Sequence, residues 1–149
     1  MAIQVGHKAP DIKTPEFKLA DLRGKRVVLF FYPKSDTPGC TKEACEFRDA
    51  SKIFSKRDAV IVGVSPDKAA AQEKFAAKYG LPFALVPDPE HAIAEAYGVW
   101  KEKSMYGRKY MGIERTTFVI DEKGKIVQVF AKVKPAGHAA EVLEALAGK

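Results

Sequence analysis

Three features of the chain predict an α/β domain with a central mixed sheet. Apolar, strand-length runs alternate with helical patterns through the first two thirds. This β-α-β-α-β-α order implies parallel strands joined by right-handed helical crossovers. Two β-branched runs, Thr116–Ile120 and Lys125–Val133, then flank the turn-forming Asp121-Glu122-Lys123-Gly124 and read as an antiparallel hairpin. A last amphipathic helix completes a three-layer arrangement. The chain has 149 residues, 46% hydrophobic and 30% charged, so a single domain over 1–149 with a proper core is expected.

Residues 1–25 carry the turn-formers Gly6, Pro10, Pro15 and Gly24 around two short extended candidates, Asp11–Thr14 and Glu16–Leu19, and read as an N-terminal β-hairpin. Arg26–Tyr32 is nearly continuous Val, Leu and Phe, the pattern of a central strand covered on both faces. Pro33 ends it. From Cys40, the positions Ala44, Phe47, Ala50 and Phe54 recur at steps of three or four, which predicts a helix to about Ser55 with Cys40 on its inner face. Ala59–Val64 is a second buried strand. Ser65-Pro66-Asp67 supplies a cap followed by proline, so the next helix is placed at Asp67–Tyr79, closed by Gly80. Ala84–Val86 is a short strand, and Asp88-Pro89 repeats the cap-plus-proline signal before a helix ending near Gly98. Trp100–Met111 has no clear period and reads as a loop whose aromatics pack locally. Pro135 opens the final helix, with Ala139, Val142, Leu143 and Leu146 on one face and Gly148 at its end.

Composition excludes several classes of function. The net charge of +6 is spread among acids along the whole chain rather than gathered in a block, which does not indicate a nucleic-acid partner. The longest apolar runs are strand-sized and too short to span a bilayer. Met1–Pro10 has neither the basic start and apolar core of a secretion signal nor an Arg/Ser-rich amphipathic character, so a cytoplasmic protein is expected, with no membrane partner. His7, His91 and His138 lack ligand spacing, and no phosphate loop or nicotinamide fingerprint is present, so neither metal nor cofactor is expected.

The chemistry gathers at Phe30–Asp49. Cys40 falls where the first core strand feeds its helix, and in open α/β sheets ligands bind outside the carboxyl ends of the strands. The free N–H groups and dipole of a helix start stabilise negative charge, which favours a nucleophilic thiolate. Cys45 lies beside Thr41, Lys42, Arg48 and Asp49 on a more polar side of the same helix, an odd place for a cysteine that only fills core.

Pro33-x-x-x-Thr37-x-x-Cys40 resembles the peroxidatic signature of peroxiredoxins. Cys40-Thr41-Lys42-Glu43-Ala44-Cys45 is similar to the bacterioferritin-comigratory-protein or PrxQ branch, in which a second cysteine follows five residues later. The likeness extends through Val5–Pro10, Gly63–Asp67, Leu81-Pro82-Phe83 and Glu114–Asp121, nearly the whole chain. It implies a thioredoxin-like three-layer fold and a thiol peroxidase in which Cys40 attacks a peroxide oxygen and becomes a sulfenic acid. In that reading Thr37 donates to the sulfur or to a peroxide oxygen and accepts from the other. Arg115 holds thiolate and peroxide together. Pro33 forms a rigid lid, and Glu43 orients an arginine from behind or complements the helix dipole.

The resemblance further implies that Cys45 resolves the sulfenic acid as an intramolecular disulfide, that a thioredoxin or glutaredoxin-like dithiol recycles the enzyme, and that the protein is a monomer. On an intact helix, five residues separate two Cα atoms by about 8.6 Å. A disulfide tolerates no more than about 7 Å, so resolution by Cys45 would require the helix start to unwind. Two other readings stay open at this level. One is a thioredoxin-like oxidoreductase, which would ordinarily carry Cys-x-x-Cys. The other is a non-catalytic redox-sensing binding or holdase module.

Overall fold

A computed structural model describes residues 3–147. The strands β1 (Arg26–Phe31), β2 (Ala59–Ser65), β3 (Ala84–Pro87), β6 (Thr116–Ile120) and β7 (Ile126–Phe130) form one sheet in the order β3-β2-β1-β6-β7. The first three are parallel, and β6 and β7 run antiparallel to β1 and to each other, as the alternating and hairpin patterns predict. β1 is the middle strand. Its alternation divides the core: Val28 and Phe30, with Tyr32 beyond the strand end, point into one cluster, while Val27, Leu29 and Phe31 point into the other.

The helices α1 (Pro38–Asp49), α2 (Ser51–Lys56), α3 (Ala69–Tyr79) and α5 (His138–Ala147) cover the first face through Phe47, Phe54, Phe75 and Val142. The short α4 (Ala92–Ala96) and the N-terminal segment cover the second, through Ala94, Tyr97, Ala9 and Ile12. The sheet is therefore flanked by helices on both faces.

Several elements differ from the sequence expectations. The N-terminal hairpin is reduced to a single Lys13–Lys18 bridge leading into a 3-10 turn at Leu19–Leu22; another bridge ties Lys8 to Lys125. The helix after β1 begins at Pro38, two residues before Cys40, and is interrupted at Ala50, whose ψ of 1° leaves the helical region. Asp49, Ala50 and Ser51 include two weak helix formers at that joint. α3 starts at Ala69 rather than Asp67, because Ser65 and Asp67 are engaged elsewhere. α4 starts at Ala92 rather than at Pro89, with His91 in the N-cap position, although Asp88 accepts from the N–H groups of Ile93 and Ala94.

The largest correction is at Trp100–Met111. Instead of a loop, this stretch contributes to an antiparallel two-stranded sheet, β4 (Trp100–Met105) and β5 (Arg108–Ile113). Tyr106 and Gly107 both take positive φ, 53° and 78°, the backbone of a two-residue primed turn. Both faces of the ribbon are largely exposed, so no apolar period marks it. α5 begins at His138 rather than Pro135, and its predicted end at Gly148 lies outside the described residues.

Candidate active site

The sheet register builds the site. β1 pairs antiparallel with β6, and Phe31 lies opposite Thr116, so the start of β6 stands beside the end of β1. Arg115 immediately precedes β6 and Cys40 lies shortly after β1. Two residues 75 positions apart are thereby brought within hydrogen-bond distance: Arg115 Nη2 donates to Cys40 Sγ at 3.3 Å. The approach requires a small residue at position 39. A Cβ on Gly39 would lie 3.3 Å from Arg115 Nη2 and 3.4 Å from Pro135 Cγ.

Cys40 sits in the first turn of α1 and is 2% exposed. Thr37 occupies the N-cap position in an extended conformation, but its side chain makes no capping bond; its hydroxyl donates back to the Lys34 carbonyl at 2.8 Å. The Thr37 hydrogen is not directed at the sulfur, and its oxygen remains an acceptor. The start of α1 has no side-chain cap, so first-turn N–H groups remain free in the turn that carries Cys40. Pro33 is half-buried just beyond β1.

Glu43 is one turn along α1 and 1% exposed. Its Oε1 accepts from Arg115 Nη1 at 2.7 Å, so the guanidinium spans Glu43 and Cys40 with its two terminal nitrogens. The orienting role expected of Glu43 therefore has a direct contact behind it. Its Oε2 is buried with no partner among the described residues. Burial pushes the Glu43 carboxyl up to about 7, against the opposing pull of the Arg115 charge and hydrogen bond. For Arg115, burial works against the charge, but Glu43 and Cys40 outweigh it and the proton is held more tightly than usual.

Cys45 is partly exposed and free, as is Cys40. α1 is continuous from Pro38 to Asp49, so the helical separation of about 8.6 Å between their Cα atoms applies. The structure brings Cys40, Arg115 and Glu43 together and keeps Cys45 apart from them.

Sequence reasoning missed two groups near the site. Asp67, read as the start of the next helix, instead precedes it and accepts from Ser35 and Ser65. His138 is fully buried under α1, bonded to Thr117 and Glu141 and set edge-on to Phe47 and Phe130. Burial, helped by the Arg115 charge, lowers its affinity for a proton. The only sequence signal for His138 was its place at the start of an amphipathic helix.

Known proteins agree with this architecture. The AhpC/TSA family profile matches residues 5–129. Peroxiredoxin Bcp of Bacillus subtilis is 50% identical over 151 residues, covering 98% of this chain and 96% of that protein. A PrxQ variant of Xylella fastidiosa superposes with a TM-score of 0.90 at 34% identity, covering 99% of this chain and 98% of the other. A Xanthomonas campestris bacterioferritin comigratory protein, studied for its alkyl peroxide reduction activity, superposes at 0.84 with 44% identity, covering 89% and 84% respectively. With Cys40 held by Arg115 at the helix start, the chain belongs to the AhpC/TSA family as a peroxiredoxin of the Bcp/PrxQ type, a thiol-dependent peroxidase that couples a peroxide substrate to a thiol reductant.

Proposed function

We propose that Cys40 is the peroxidatic thiol of this enzyme, with Arg115, Thr37 and Pro33 shaping its pocket and Cys45 resolving the product. The observation that carries this reading is the Arg115 guanidinium shared between Cys40 Sγ and buried Glu43. The Cys40 thiolate attacks the terminal oxygen of the peroxide. A sulfur–oxygen bond forms, the O–O bond breaks, and the departing alkoxide or hydroxide takes a proton to leave as alcohol or water. Arg115 can follow the negative charge from sulfur to oxygen without changing its own protonation. Thr37, whose hydroxyl hydrogen is spent on Lys34, accepts from the peroxide O–H and so aligns it. Pro33, with no backbone N–H, limits water at the rim.

In the second half of the cycle the Cys45 thiolate attacks the sulfur of the Cys40 sulfenic acid, the sulfur–sulfur bond forms as the sulfur–oxygen bond breaks, and the departing hydroxide takes a proton from solvent to leave as water. The disulfide requires the start of α1 to unwind, since about 8.6 Å between Cα atoms exceeds what the bond spans. Unwinding also exposes the disulfide to a thioredoxin- or glutaredoxin-like dithiol, which supplies two electrons by thiol exchange, returns Cys40 and Cys45 to thiols and emerges as a disulfide itself. We assign the enzyme to the cytoplasm and to a monomeric state, with hydrogen peroxide and organic hydroperoxides as substrates. No helix among the described residues is long and apolar enough to cross a membrane.

Stopped-flow peroxide reduction with thioredoxin as donor tests the assignment. Cys40→Ser is expected to abolish turnover, and Arg115→Ala to slow the first oxidation by about 100- to 1000-fold, the usual cost of one charge-stabilising donor. Cys45→Ser is expected to react once with peroxide, gain one oxygen in mass, and recycle poorly. A Cys40→Ser protein that still turns over would refute the proposal.

A further inference from the structure

Pro33 through Cys40 is the segment that presents the reactive thiol, yet it lies outside the sheet ladder. Tyr32 N–H makes the last ladder bond, to Val64, and Thr41 N–H makes the next backbone bond, to Thr37. Between them, the one backbone N–H bond among the described residues is from Ser35 to a side chain, Asp67 Oδ2, at 2.7 Å. The segment also contains a residue in the left-handed region, Asp36 at φ 59°, and no bonded turn of its own backbone fixes that conformation. Apart from the Thr37 hydroxyl's bond back to the Lys34 carbonyl, its position therefore depends on side chains reaching it from elsewhere.

Asp67 lies between β2 and α3. The same Oδ2 accepts from Ser35 N–H, Ser35 Oγ and Ser65 Oγ, each at 2.7 Å. Behind these donors stand two further groups. Tyr32 O–H lies 3.2 Å from Ser35 Oγ, and Gln72 Nε2 donates to Ser65 Oγ at 2.9 Å and to the Val86 carbonyl at 2.8 Å. Since Ser35 Oγ spends its hydrogen on Asp67, Tyr32 is the donor to Ser35. Burial pushes the Tyr32 phenol up to about 12, which keeps that hydrogen in place. Two donor chains, Tyr32 to Ser35 and Gln72 to Ser65, thus converge on one carboxylate. Ser65 and Gln72 are buried, so the anchor belongs to the core, and Ser35 is where it grips the segment. A second, exposed tether holds the next residue: Asp36 accepts from Lys78 Nζ at 2.9 Å and from Tyr79 O–H at 2.7 Å.

We propose that Asp67 is a positioning residue for the peroxide reaction, fixing through Ser35 the Pro33–Thr37 turn that places Thr37 and the start of α1 around Cys40. This rests on Cys40 being the peroxidatic thiol. Ser35 is two residues from Thr37, so a shift at Ser35 is passed directly to the Thr37 hydroxyl and to the uncapped helix start. Misplacing a reacting group by about 1 Å can cost about 100-fold in rate. The exposed Asp36 tether is a weaker constraint, because solvent competes for both partners.

The test compares reduced wild type with Asp67→Ala, Asp67→Asn and Ser35→Ala. Oxidation of Cys40 by hydrogen peroxide and by cumene hydroperoxide is followed by stopped flow, and each rate is divided by the content of titratable reactive thiol. Asp67→Ala is expected to lose about 10- to 100-fold per reactive thiol. Asp67→Asn, which keeps a carbonyl acceptor, should lose less, and Ser35→Ala, which keeps the N–H bond, least. Amide exchange supplies a readout independent of activity: the Ser35 N–H should exchange faster in Asp67→Ala while the interior of α1 keeps wild-type protection. A purely structural role would instead lower the melting temperature and the reactive fraction and leave the rate per thiol unchanged, which overturns the proposal. If Asp67→Ala does not fold, Asp67→Asn and Ser35→Ala decide, and rates for both within twofold of wild type overturn it. A wild type whose Cys40 consumes no peroxide would overturn the peroxidatic assignment instead, a result distinct from any effect of Asp67.

Discussion

Replacing Glu43 with glutamine removes a buried charge beside the only cation that touches the Cys40 sulfur among the described residues, and its effect on stability has a defined sign and pH window. Burial raises the folded carboxyl from its ordinary 4.5 to about 7. A carboxyl with a raised folded pKa binds its proton more tightly in the native than in the unfolded chain. Its contribution to stability is therefore complete below 4.5 and is lost as pH rises through 7. At about 1.4 kcal/mol per pH unit, that window corresponds to a loss on the order of 3 kcal/mol. Glutamine keeps an oxygen to accept from Arg115 and has no proton to release. Relative to wild type, Glu43→Gln should become more stable by about 3 kcal/mol between pH 4.5 and 8. Urea denaturation of the fully reduced proteins at a series of pH values measures this, and subtracting the two curves cancels every other titrating group. Equal pH slopes for the two proteins would refute the reasoning, because they would mean that Glu43 carries its charge into the fold at no cost.

Three further outcomes are expected. Gly63→Ala should destabilise the protein by about 1–3 kcal/mol in thermal or urea unfolding. Its Cβ would meet Leu85 Cδ2 and Phe30 Cζ at 2.8 Å, and Phe30 is fully buried against Phe47 and Phe83; wild-type stability would show that this face of β2 has room to give. His138 should titrate below 6.5 in a ring-proton NMR experiment, because burial opposes its charge; the stability this lends is present above 6.5 and lost as pH falls through the folded value. A midpoint above 6.5 would contradict that. Oxidation with one equivalent of peroxide should reduce the helical circular dichroism of wild type and leave that of Cys45→Ser unchanged, since only the former must unwind α1 to close a disulfide. An unchanged helix in protein with a mass-confirmed 40–45 disulfide would sink the unwinding step.

The legible parts of the molecule were those encoded over short stretches. The buried run at Arg26–Phe31 needs only its own Val, Leu and Phe to be read as a central strand, and Gly80, with φ 60°, ends α3 where its sequence position says it should. Cys40 could be nominated from its place where the first core strand feeds its helix, whereas Glu43 and Arg115 could be nominated only through the resemblance to peroxiredoxins. The β4–β5 ribbon was not legible: both faces meet solvent, so the alternation that normally reveals a strand is missing, and Tyr106-Gly107 is not one of the usual primed-turn pairs. Asp67 was misread for a different reason. Ser65-Pro66 reads locally as a cap and a first helical residue, but the Ser65 hydroxyl donates to Asp67, which also takes Ser35, distant in sequence, and the helix starts only at Ala69. The same applies to Pro135, where the helix waits until His138 because Gly137 takes a φ of 81° and gives its N–H to Glu46.

By itself, then, the amino-acid order determined that a cysteine would stand at a strand-to-helix junction and that a second would follow on the same helix. Those are consequences of backbone preference and side-chain periodicity over a few residues. Tertiary structure decided which groups surround that thiol. Arg115 reaches Cys40 because antiparallel pairing sets Thr116 opposite Phe31, and the turn before Cys40 is held by Asp67 from a separate connection. Such contacts depend on sheet register and on where the chain crosses back, and no local pattern specifies either of them.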